Sequence, residues 1–173
     1  MQFFKHYSVS AIVILALFVL NCAAASASEI APGRSCNGIR LGETQEGVKT
    51  HLGAPDQKDT IGGYETWTYY LNNRSLIMAV QWNSQRKVES VLLMSLTVPP
   101  SDKVRNWARN TNTYTSKGIT FGTPVSEVIA KMGQPAGKAN TKNGLQLVYP
   151  GLLLCAQDGV VFYLRVSSNV VGS

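Results

Sequence analysis

The chain has 173 residues, and its 16 lysines and arginines outnumber 10 aspartates and glutamates, giving a formal charge of +6 at pH 7. The basic residues are scattered, among them Arg34, Arg40, Lys49, Arg86, Lys87, Lys103, Arg105, Arg109, Lys131, Lys138 and Lys142. They form no dense run of the kind that marks a nucleic-acid arm, which excludes nucleic acid as the expected partner. A mild positive field of this sort suits acidic partners or anionic surfaces, and equally an ordinary soluble surface.

Residues 1–28 read as an address. Lys5 and His6 stand in a short polar start, an apolar run from Ala11 to Leu20 follows, and small residues extend from Ala23 to Ser28. That order predicts a secretory signal peptide, cleaved after Ala25 or Ala27. As a helix the apolar run spans only about half of the hydrocarbon core, too little for a permanent anchor. Cys22 follows the run directly, as in bacterial lipoproteins, but Asn21 stands where a small residue belongs. The protein is expected to be periplasmic or secreted, and attached to an outer membrane only if Cys22 is lipidated. The 145 residues that remain suffice for one domain or two very small ones. A chain of that size buries roughly 68–70% of its unfolded surface and needs no metal to fold.

The strongest signal is an internal repeat. Residues 38–55 (GIRLGETQEGVKTHLGAP) and 118–135 (GITFGTPVSEVIAKMGQP) align without a gap. Identities fall at Gly38/Gly118, Ile39/Ile119, Gly42/Gly122, Val48/Val128, Gly53/Gly133 and Pro55/Pro135, and Leu41/Phe121 and Leu52/Met132 are apolar in both copies. Self-similarity at a fixed offset predicts a repeated structural unit. Gly42 and Gly122 permit a sharp turn into a helix. Thr44 is placed to cap the first helix through the Gly47 N–H; in the second, Thr123 is the expected cap, with Pro124 in the first turn. Val48 and Leu52, like Val128 and Met132, share one helical face. Gly53 and Gly133 then stop the helices, and the proline two residues on prevents continuation.

Three strands are predicted after each helix. In the first copy they are Glu65 to Tyr70, Ser75 to Trp82 and Val88 to Leu96; in the second, Gly144 to Tyr149, Leu152 to Ala156 and Val160 to Val166. Asp158-Gly159 between apolar runs is a hairpin signal. Between the copies Val98-Pro99-Pro100 breaks the chain, and Ser101 to Asn110 has the pattern of a helix capped by Ser101. The expected fold class is therefore α+β: a tandem repeat of a helix plus a three-stranded antiparallel meander, the helix packed on one face of the sheet. The expected organisation is a signal peptide over 1–28, a first repeat over 29–97, a linker with a short helix over 98–117, and a second repeat over 118–173.

Two cysteines survive processing, Cys36 and Cys155. In an oxidising compartment an even pair suggests one disulfide joining the ends of the fold across a loop of about 120 residues; the alternative is a buried thiol at Cys155 with Cys36 free. Chemistry is otherwise scarce. His51, on the first helix, is the only histidine after the leader, and neither a metal spacing nor a nucleophile with its base is evident. Glu43, Glu46, Asp56, Asp59 and Glu65 lack the spacing of a calcium loop and read as a polar rim. No catalytic residue, cofactor or metal is expected. The aromatic residues are the candidates for recognition. Trp67 and Tyr69 share one side of their strand and Tyr70 takes the other, so Trp67 and Tyr69 are expected to fill the core. Tyr70, Tyr149 and Tyr163, with Trp67 and Trp82 as further candidates, compose the expected partner-binding surface.

The pattern Gly-x-x-apolar-Gly, then Val, an apolar residue and Gly-x-Pro, followed by a meander of strands, resembles the BamE-like superfamily. That group includes the SmpA/OmlA lipoprotein domains of outer-membrane assembly and the tandem-repeat β-lactamase inhibitory proteins. The resemblance covers both repeats, and two copies 80 positions apart look more like the tandem inhibitors. It implies an exported, non-enzymatic protein-binding module of the bacterial cell envelope, or alternatively a secreted enzyme inhibitor. A small-ligand or lipid-binding protein with an apolar cleft between the repeats is a further alternative.

Overall fold

The computed structural model describes residues 29–168; the expected signal peptide and Cys22 lie outside them. Two short strands, β1 (Ser35–Cys36) and β2 (Ile39–Arg40), pair with each other and precede helix α1 (Gln45–Leu52). Strands β3 (Gln57–Ile61), β4 (Tyr64–Leu71), β5 (Leu76–Trp82) and β6 (Val88–Ser95) follow. Helix α2 (Asp102–Asn110) crosses to helix α3 (Val125–Met132), and the chain closes with β7 (Gly137–Thr141), β8 (Gly144–Tyr149), β9 (Leu152–Gln157) and β10 (Val160–Ser167). Strands β3 to β10 form a single eight-stranded antiparallel sheet in the order β3-β4-β5-β6-β10-β9-β8-β7.

This overturns the expected fold class. The described chain is 45% strand and 18% helix, with a continuous sheet in place of two helix-plus-three-strand units. Two differences carry the correction. Each set of strands has a fourth member that the sequence hid, β3 and β7. Every residue of β3 and all but the first of β7 are exposed, so neither strand carries the alternation of polar and apolar residues that marks a half-buried strand. The two sets also join edge to edge: β6 pairs with β10 from Met94/Tyr163 to Ser90/Ser167, which removes the edges that separate meanders would expose.

The helices lend side chains to the core without forming a layer. Val48 of α1, Val104 and Ala108 of α2, and Val128 of α3 join one cluster with Trp67, Met78, Leu93, Leu154 and Leu164 from one face of the sheet. Thr44 caps α1 as expected, its Oγ1 accepting from the Gly47 N–H at 3.1 Å. The other caps differ. Pro124 is the N-cap of α3, and Thr123 Oγ1 instead accepts from the Thr120 N–H at 3.0 Å. Ser101 makes no side-chain cap bond to α2. Helices α1 and α3 end at Gly53 and Gly133, whose φ values of 82° and 84° need glycine.

The start of each cassette is tied to the last strand after it in the same way. Gly42 donates to Val88 O and Val88 donates to Glu43 O; Gly122 donates to Val161 O and Val161 donates to Thr123 O. The segment before β1 ties to the second set of strands instead, with Gly33 donating to Gly151 O at 2.9 Å.

Candidate functional site

Strand register assigns every sheet residue to one of two faces, because residues opposite one another across a ladder point the same way. Trp67, Val80, Val91, Val166, Leu152 and Tyr149 form one cross-strand row; Tyr69, Met78, Leu93, Leu164, Leu154 and Leu147 form the next. All twelve are buried in the core cluster. The other face carries the row Tyr70, Ile77, Met94, Tyr163, Cys155, Gln146 and Ala139, which runs unbroken over seven strands from β4 to β7. Beside it runs Thr68, Ala79, Leu92, Arg165, Leu153 and Val148. No helix turns a buried residue toward this second face, and Ile77, Leu92, Met94, Val148 and Leu153 are all half-exposed. It is an open face with an apolar middle.

The expected recognition residues divide between the faces. Tyr70 and Tyr163 stand in one row of the open face. Tyr70 donates from its hydroxyl to Gln57 Oε1 at 3.1 Å, and the Arg74 guanidinium lies 4.6 Å from its ring centre. Trp67 fills the core, and Trp82 and Tyr149 lie in the core with it rather than on a partner-binding surface. Trp67 and Trp82 pack edge to face at 4.8 Å, and Trp67 Nε1 donates to Glu65 Oε1 at 2.9 Å. Tyr149 is 4% exposed and donates to Gly133 O at 3.0 Å, locking β8 to the end of α3.

The expected disulfide is absent, and both thiols are free and buried. Cys36 joins the core cluster, whereas Cys155 points to the open face between Tyr163 and Gln146, so the sheet lies between them. Burial pushes the Cys36 thiol up to about 12 and the Cys155 thiol up to about 11. Neither is a nucleophile at neutral pH. Burial also pushes the Tyr163 hydroxyl to about 12, with the Arg165 charge pulling it down and Cys155 adding to the rise.

A cavity of about 420 Å³ opens on this face, walled by Met94, Leu153, Cys155, Phe162 and Tyr163. Lys142, Asn143, Gln146 and Gln157 supply its polar rim. Phe162 reaches it because β10 bulges: Val161 pairs with Ala156 and Tyr163 with Cys155, leaving Phe162 as the extra residue. Its size is within the range of small-molecule sites. Arg165 is the residue the sequence reading missed. Its signal was there: in VVFYLRVS one cation interrupts an apolar strand, at an even spacing from Tyr163.

The acidic residues near the first cassette are engaged locally. Glu43 accepts from the Arg40 N–H, Glu46 faces Lys49 at 3.8 Å, Asp56 accepts from the Tyr70 N–H, and Glu65 accepts from Trp67 and Gln45. No cluster of three or more His, Cys, Asp or Glu residues could hold a metal among the described residues. No described helix is long and apolar enough to cross a membrane.

No protein-family model matches the chain, and no curated protein sequence matches it. Among solved structures the chain is similar to a DUF4309 family protein (YjgB) from Bacillus subtilis subsp. subtilis str. 168. The TM-score is 0.52 at 11% identity, over 83% of this chain and 90% of that one. At that identity the similarity concerns the fold alone. A more distant match is an extracellular protein containing a SCP domain from Bacillus anthracis str. Ames, with a TM-score of 0.43 at 14% identity, over 75% of this chain and 44% of that one. Nothing in either points to the SmpA/OmlA or β-lactamase inhibitor groups.

Proposed function

We propose that this chain is an exported, non-enzymatic binding protein of the bacterial cell envelope that holds another protein against the open face of its sheet. One observation carries the proposal: a seven-strand row from Tyr70 to Ala139, at least partly exposed at every position but Cys155, lies on a face to which no described helix contributes a buried residue. Contiguous apolar surface rimmed by polar groups is the signature of an interaction site, and tyrosines are frequent anchors at interfaces. The aromatic and apolar content of the row gives an anchor region, with Gln146 toward one end of it and Gln81 and Arg165 in neighbouring rows as its polar groups.

Site-specific photo-crosslinking tests this in the native envelope. A benzophenone side chain at Ile77 or Leu92 is expected to trap one discrete partner, and the same group at exposed Thr50 on α1 is expected to trap none. Equal, diffuse labelling from both positions would sink the proposal.

A second reading follows from the cavity. A hollow with apolar walls and a few polar groups at its rim suits a small ligand, held on the face between the middle of the sheet and the β7–β8 turn.

A further inference from the structure

Arg165 is partly buried in the middle of the open face. Leu92 and Leu153 face it directly from the flanking strands β6 and β9. Its Nε is buried and makes no hydrogen bond, and the residue enters none of the ion pairs among the described residues. Strands β4 to β10 place no paired acidic residue on this face; Asp59 lies beyond them on the outer strand β3, opposite Thr66. Between the two leucines that Nε loses hydration without a protein bond in exchange, a cost that an anion reaching it would offset.

The cavity begins beside it. Tyr163, two residues before Arg165 on the same face, lines the hollow, and so does Leu153, which sits opposite Arg165. The walls are apolar and soft: Met94, Leu153, Phe162 and the buried Cys155. At the far rim Lys142 is a second cation with no ion pair among the described residues. A hollow with apolar walls, one cation on its rim and a second in the next row of the same face, opposite Leu153, is complementary to an apolar body that carries an acid. Between anion types, the planar fork of a guanidinium matches a carboxylate through two parallel hydrogen bonds.

We propose that this cavity binds a small amphiphilic carboxylate, its apolar body against Met94, Leu153 and Phe162 and its carboxylate held by Arg165, with Lys142 adding attraction from the rim. The proposal rests on the small-ligand reading above and names the ligand class for it. Arg165 is the specificity residue, and the walls supply affinity without regard to charge.

Calorimetric titration of protein produced from the full-length chain tests this with three probes of equal length: decanoate, decanol and decyltrimethylammonium. Decanoate is expected to saturate a single site about tenfold more tightly than decanol, the amount one charge-assisted contact supplies, and the cationic probe is expected to bind weakest. Arg165→Gln should cost decanoate that factor of about ten and leave decanol unchanged, while Arg165→Lys keeps part of the preference. Leu153→Trp, which fills the hollow, should abolish both. Matching thermal unfolding of each variant shows that the fold survives; should Arg165→Gln fail to fold, the Arg165→Lys variant and the decanoate-to-decanol ratio of the unaltered protein decide. Equal affinity for decanoate and decanol overturns the carboxylate assignment and leaves the small-ligand reading standing. Failure of all three probes removes both. Binding to vesicles of phosphatidylglycerol without binding of free decanoate also overturns the proposal, in favour of an anionic surface.

Discussion

Tyr149 and Tyr163 lie two strands apart in the same sheet, yet one is sealed in the core and the other opens to the cavity. Parity along the strand separates them, since each step of one residue exchanges faces. Tyr149→Phe removes the bond to Gly133 O and is expected to cost about 0.5–1.5 kcal/mol in urea unfolding, with photo-crosslinking from the open face unchanged. Leu154→Ala, fully buried on the core face, should cost more, about 2–5 kcal/mol. The thiols make a prediction about pH. In the unfolded chain they lose their protons near 9.0, whereas folding holds the protons to about 12 at Cys36 and about 11 at Cys155. The folded state therefore binds more protons in that window. Their contribution to stability is complete below pH 9 and is lost as pH rises through 11 and 12. The urea midpoint should fall steadily across that range, and Cys36→Ala should flatten the decline. A midpoint independent of pH there would contradict the burial of both groups.

Helices α1 and α3 begin and end close to where their cassettes place them, because local chemistry (the Thr44 cap at α1, a helix-stopping glycine and a proline beyond it at both) controls short helices. The hairpin at Asp158-Gly159 is likewise local: both residues have positive φ, 52° and 78°, as a tight two-residue turn requires. Strands β3 and β7 escaped notice because an outer strand whose residues face water needs no apolar alternation; its backbone bonds to β4 and β8 hold it. The tie between Gly33 and Gly151 was also invisible. A Cβ on Gly151 would lie 2.3 Å from the Gly33 nitrogen, and its φ is 72°. Gly151→Ala is expected to displace the Ile30 to Cys36 segment and to destabilise by at least about 2 kcal/mol. Faster hydrogen exchange confined to that segment would identify the cause.

Strands β6 and β10 lie at the middle of the sheet, and their five registered pairs join the two sets of strands. Together with the Gly33–Gly151 tie, this couples the halves into one cooperative unit. A single urea transition is expected, with Trp fluorescence and far-ultraviolet dichroism superimposing. Two separated transitions would show that the halves are independent. Cutting the chain at Pro99-Pro100 should leave residues 29–98 unable to fold alone, because β6 would become a long edge with apolar residues on both faces. The open face is a property of the same joint. Met94 comes from one side of it and Tyr163 from the other, so the cavity needs both.

The two cassette helices, the Asp-Gly hairpin and the parity that puts Tyr70 on the face away from Trp67 were written in the residues, since each depends on neighbours within a few positions. The fusion of two meanders into one sheet, the separation of Cys36 from Cys155, the burial of Trp82 and Tyr149, and the unpartnered Arg165 between two leucines were not. Those depend on which edges meet and which face the helices cover. Such contacts join residues many tens of positions apart, and periodicity along a chain carries no record of them.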